Sequence, residues 1–215
     1  MNRLKIFRSI AIDALFLALF ILFTFVPWLG YYQVGPISFQ VVHVFVLIGA
    51  AIFGWKKGLL YGFIFGLLSL LKAISYPGTL DFAFINPFVS ILPRALFGFL
   101  AGFIFDIIKK HASLKQFMIS LPVLCFVLTC SHTFATLSCL YIFGVLDPFS
   151  ISSALGLSEI MSNVTFVALF TTIGLIGMCI EGAVAAIIVL PLYVALRRIN
   201  FVKEEDDLKF KTIKA

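Results

Sequence analysis

Polar and apolar positions along this chain do not alternate at the period of an amphipathic helix or strand. Apolar residues run on for the length of whole helices and give way to short polar clusters. The runs lie near 10–29, 39–53 extended by its flanks, 58–75, 89–108, 117–143 and 164–196, and each matches a bilayer core of about 30 Å. The pattern predicts an all-α membrane protein of six transmembrane helices in a compact bundle. The last run is long for one span, and Gly174 and Gly177 are places where it would break or tilt, so five or seven spans stay open. Small residues recur every four positions: Gly58, Gly62 and Gly66 in span three, Gly98 and Gly102 in span four, Ala14 and Ala18 in span one. That spacing puts them on one helix face, where backbones approach closely in lipid.

Composition sharpens this picture. Of 215 residues, 62% are hydrophobic and 12% charged, with a mean hydropathy of +1.13, beyond the roughly 45–50% apolar content of soluble domains. Charge then gives orientation. All of the 16 lysines and arginines except Lys72 and Arg94 fall before span one, between spans two and three, between four and five, or after span six. Cytoplasmic loops collect such residues, so both termini are expected in the cytoplasm of a multi-pass cell-membrane protein. The net charge of +6 is accounted for by topology, and no basic-aromatic module for nucleic acid is present. The basic, then apolar N-terminus lacks a small-x-small cleavage site and is read as span one. Residues 1–196 form one domain, and 197–215 read as a charged, solvated cytoplasmic tail. Cys125, Cys130, Cys139 and Cys179 are expected as buried, reduced packing residues, without metal-site spacing.

Topology also sets depth for the few polar residues inside the spans. Span two descends from outside with Gln40 and His43 in its outer half, and span three ascends to Lys72 near its outer end. Span four descends with Arg94 one turn in, below Asn86, and span five ascends to Ser131, His132, Thr133 and Thr136 in its outer half. These groups share one level and predict an outward-facing polar cavity. Two basic residues kept on the side where the positive-inside tendency disfavours them point to an anionic partner, and arginine's planar fork suits a carboxylate. Against this, Arg94 snorkelling to headgroups or pairing with Asp81, Lys72 snorkelling, and His43 and His132 as ordinary interhelical hydrogen-bonding residues all stand as alternatives. Glu181, deep in span six, is either a counter-charge or protonated. No phosphate-binding loop, zinc-protease helix or nucleophile elbow occurs, so the chain is not expected to be an enzyme, to hydrolyse ATP unaided, or to need a metal or cofactor.

The stretches ALFLALFILFTFVPWLGY (14–31), ISFQVVHVFVLIGAAIFGWKKG (37–58), GFIFGLLSLLKA (62–73) and FINPFVSILPRALFGFLAGFIFD (84–106) resemble the substrate-binding S components of energy-coupling factor (ECF) vitamin transporters. The NP-x-V-S-x-L-P-R-x-L pattern is most similar to the pantothenate type. In span five His132 and Thr133 stand where the family often has an Asn-Thr pair, and Glu181 is kept without the usual preceding proline. The resemblance implies a small vitamin bound in the outward pocket, with Arg94, Asn86, Gln40, His43, Lys72, His132 and Thr133 as its contacts. Pantothenate leads, and folate, riboflavin, cobalamin or a queuosine precursor would reuse the fold. It implies as partners a membrane coupling subunit, docked through Ala14-x-x-x-Ala18, and two cytoplasmic ATPases, with toppling of the loaded chain in the bilayer. A proton-coupled secondary transporter using Glu181 and the histidines is the competing class.

Overall fold

A computed structural model of the chain describes residues 3–34, 37–75, 84–144 and 174–211. Asp81, Asp147 and the first part of the sixth apolar run lie outside the described residues. In chain order the elements are α1 (Arg3–Phe25), a single turn α2 (Pro27–Gly30), strands β1 (Tyr31–Val34) and β2 (Ile37–Gln40), and α3 (His43–Phe53). They are followed by α4 (Trp55–Ser75), a turn α5 (Pro87–Ser90), α6 (Leu92–His111), α7 (Leu114–Gly144), α8 (Leu175–Leu196) and α9 (Asn200–Lys211). Among the described residues, five segments are long and apolar enough to cross a membrane: α1, α4, α5 with α6, α7 and α8. A sixth apolar helix, α3, is shorter. Outward-facing Leu15, Leu59, Phe103, Ile119 and Ile187 are exposed, which suits a surface in lipid. Cys179 is exposed among them, against the expectation of burial, while Cys125 is buried.

The second span departs most from expectation. Its flank is a strand: β1 and β2 pair antiparallel with Tyr31 opposite Gln40 and Val34 opposite Ile37. Aromatic and β-branched residues around Gly35-Pro36 favour a hairpin over a helix. The helix that remains has 11 residues, a rise of about 16 Å. Nine of those 11 are buried, so α3 is a central core element, and this explains why it has no polar face. It ends at Gly54, whose φ of +79° favours glycine. α8 runs unbroken through Gly177.

α4 and α6 cross at backbone contact. A Cβ on Gly58 would strike Gly98 O, one on Gly62 the carbonyl of Arg94, and one on Gly66 would come 2.7 Å from Ile91 Cα. The glycine spacing therefore brings α4 onto the turn that carries Arg94. α1 is held more lightly, with only Phe16, Phe20 and Thr24 buried. Asp13 anchors it: one carboxylate oxygen accepts from Lys57 Nζ, and the other from Tyr61 Oη at 2.7 Å. The Tyr61 ring stacks on Phe16 at 4.8 Å. Ala14 and Ala18, next to this clasp, are exposed.

After Arg197 the chain continues as α9, Asn200–Lys211. α9 packs back on the bundle, burying Val202 and Asp206. Asp206 is paired with Lys109, both fully buried, and accepts from Tyr193 Oη at 2.6 Å and pairs with Arg197 Nε at 2.8 Å. Lys109 also donates to Ala51 O and lies 4.8 Å from the centre of the Phe117 ring. Nearby, Asp106 accepts from Trp55 N at 3.1 Å and pairs with Lys209 at 2.8 Å. The four consecutive acids of 204–207, flanked by Lys203 and Lys209, belong to a helix with one buried acidic position, which composition alone does not separate from a solvated end.

Candidate functional site

Arg94 sits in the first turn of α6, behind Pro93, and its side chain is 1% exposed. So little exposure is not that of an arginine snorkelling to the surface. Nη1 donates to Ser90 O at 2.8 Å and Val89 O at 3.3 Å. The guanidinium lies over Phe65 at 5.1 Å and Phe84 at 5.2 Å. Two aromatic faces and two carbonyls fix the fork in place.

One histidine stands within the field of this cation, and a second acts on the first. His132 on α7 packs its ring 4.6 Å from Phe97 and 6.1 Å from Phe65, the ring that Arg94 also covers. Its Nε2 lies 3.5 Å from Thr136 Oγ1, the limit of a hydrogen bond. His43 opens α3, and both Arg94 and His43 act electrostatically on His132. Among the described residues, His43 Nε2, His132 Nδ1 and Thr129 Oγ1 are buried without a hydrogen-bond partner. Each such group costs about 1–3 kcal/mol when left unsatisfied.

Glu181 on α8 is the hub that sequence reasoning left open. It accepts from Gln40 N at 2.9 Å and from Thr133 Oγ1 at 3.1 Å, and it too is reached by the field of Arg94. Thr133 in addition bonds to Thr129 O at 3.2 Å. Glu181 thereby ties β2, α7 and α8 together at the level of the two histidines. Its neighbours Gln40 and Thr133 had been singled out, but Gln40 contributes its backbone.

The remaining expected contacts divide. Asn86 caps α5, accepting from Phe88 N at 3.0 Å, a structural use of its amide oxygen. Lys72 stands half-buried in the last turn of α4, about two turns beyond Phe65. Ser131 turns away from the group, exposed and bonded to Val127 O in its own helix at 2.9 Å. The arrangement as a whole offers one fixed cation, a hydrogen-bonded carboxylate and several unpartnered neutral atoms, all desolvated. Such a set is chemically suited to a small polar solute, and among the described residues no nucleophile and base are paired in it as acyl or phosphoryl chemistry requires.

Comparison with known proteins gives three matches. The family model described as "ECF transporter, substrate-specific component" matches residues 8–193. The pantothenate transporter PanT of Leuconostoc mesenteroides is 33% identical over 104 residues, 46% of this chain and 51% of that protein. The pantothenic acid transporter PanT of Lactococcus lactis subsp. cremoris is 31% identical over 121 residues, 48% of this chain and 60% of that protein. The chain thus spans only about half the length of the curated relatives it matches.

Proposed function

Because this chain belongs to the substrate-specific components of ECF transporters, we propose that it is the vitamin-binding subunit of an ATP-driven importer, and that its vitamin is pantothenate. The observation carrying the second step is the inward-turned guanidinium of Arg94, buried beside unpartnered imidazole nitrogens. Pantothenate has one carboxylate, two hydroxyls and an amide, and a site of one cation with neutral donors and acceptors is complementary to it. The names of the two relatives support the same ligand. Gln40, His43, His132, Thr133 and Lys72 complete the pocket in this reading, with Asn86 shaping the turn above Arg94. The pocket opens outward, both termini face the cytoplasm, and a membrane coupling subunit with two ATPases supplies the energy.

The purified chain, analysed by native mass spectrometry, is expected to carry pantothenate and to rebind it after removal. A different co-purifying vitamin would replace pantothenate in this reading. Uptake into liposomes by the chain alone, driven by a pH gradient with no ATPase present, would overturn the S-component mechanism.

Docking is assigned to the exposed face of α1 around Ala14 and Ala18. Small residues there leave room for a partner helix's backbone. Changing both to leucine should abolish uptake by the assembled complex while the isolated chain still binds pantothenate. Equal loss of the two activities would return the alanines to ordinary packing.

A further inference from the structure

We propose that Glu181, His43, His132 and Thr129 form a hydroxyl-binding subsite separate from Arg94, so that the pocket selects a hydroxylated monocarboxylate and rejects a second negative charge. This deepens the pantothenate reading and rests on it.

Connectivity places the four residues together. Glu181 is bonded to Gln40, three residues before His43, and to Thr133, which follows His132 and sits one turn after Thr129. Glu181 accepts two hydrogen bonds from protein, and a carboxylate has about four lone-pair sites. On residues that neighbour its two donors in the chain, His43 Nε2, His132 Nδ1 and Thr129 Oγ1 are buried, at 1%, 7% and 0% exposure, with no partner among the described residues.

The ligand group that fits follows from this set. A second carboxylate would face Glu181 in a desolvated site and be repelled. An ammonium would suit Glu181 but has no acceptor for an imidazole N–H. A hydroxyl donates to the carboxylate and pairs with an imidazole nitrogen in either tautomer, so a single atom of the ligand satisfies both kinds of partner. Two hydroxyls separated by one further carbon, as in pantothenate, would engage several of these atoms at once. Arg94 keeps the carboxylate, and the field between Arg94 and Glu181 orients the ligand end to end.

The test measures binding to the purified full chain in detergent. Pantothenate, its analogue lacking both hydroxyls, and an analogue in which a carboxylate replaces the terminal hydroxyl are compared on wild type and Glu181→Gln. Wild type is expected to prefer pantothenate over the deoxy analogue by at least about tenfold, and not to bind the dicarboxylate. Glu181→Gln should shrink that preference and admit the dicarboxylate. His43→Leu is a second probe that does not depend on Glu181 folding correctly. This variant should lose hydroxyl preference, whereas a histidine that serves only the packing would change stability and leave the preference intact. An unchanged preference in both variants, while pantothenate binds wild type, overturns the subsite alone. Tighter binding of an amino analogue than of pantothenate overturns it as well. Failure of wild type to bind pantothenate at all overturns the parent reading, and the subsite falls with it.

Discussion

Arg94→Ala is expected to weaken pantothenate binding to the isolated chain by at least about 2 kcal/mol, because truncating one partner of a buried charge pair strands the other. The side chain is already fixed by Ser90 O, Val89 O and the rings of Phe65 and Phe84, so binding costs little ordering of the fork. Arg94→Lys should restore only part of the loss, since a single ammonium cannot reproduce a two-point contact. The alcohol analogue that lacks the carboxylate should bind wild type poorly and discriminate little between wild type and Arg94→Ala. Normal binding of the acid by an Arg94→Ala chain that is merely less stable would mean that Arg94 serves the fold, and the case for an anionic ligand would go with it.

The second large effect lies at the opposite end of the bundle. Asp206→Ala should destabilise the protein by about 3–5 kcal/mol, since Lys109 would be left as an uncompensated buried charge. Thermal unfolding in detergent measures this, and ligand affinity of the surviving folded fraction should be unchanged. Replacing both partners, Lys109→Met with Asp206→Leu, should recover much of the loss, because an apolar pair carries no desolvation penalty. Lys209→Ala removes a partly exposed partner of Asp106 and should cost no more than about 1 kcal/mol. Similar effects from Asp206→Ala and Lys209→Ala would show that the buried pair has no special weight.

The spans and the glycine crossing were legible because both are statements about length and spacing. An apolar run of membrane length has few other uses, and four-residue glycine spacing reports a face whatever it meets. The hairpin at 31–40 escaped because a short apolar strand and a piece of apolar helix share one hydropathy signature. Arg94, His43 and His132 stood out as polar residues in apolar surroundings, and all three are buried. Gln40 also stood out, but not as a partner of Glu181, because it serves through its backbone N–H from 141 positions away, and side-chain type says nothing of that. Lys109 was read as one more loop lysine marking the cytoplasmic side, and Asp206 as part of a charged tail. Each looks like a surface charge until the other is placed beside it. Asp13 was passed over for the same reason, since its donors Lys57 and Tyr61 belong to another helix.

That aspartate has a mechanical consequence. Asp13, Phe16 and Phe20 lie within about 60° of one another around α1, and Ala14 and Ala18 lie roughly 100–140° away from Asp13. The two oxygens of Asp13 are held by residues one turn apart on α4, which fixes both the roll of α1 and its height. Tyr61, one of those residues, is followed directly by Gly62, and Gly62 rests against the carbonyl of Arg94. A torque applied at the alanine face therefore passes through one clasp and one backbone contact to the turn that holds the guanidinium, with no hinge or loop between to take up slack. A bundle built this way would act as a lever, passing a turn of its first helix directly to the turn that carries Arg94.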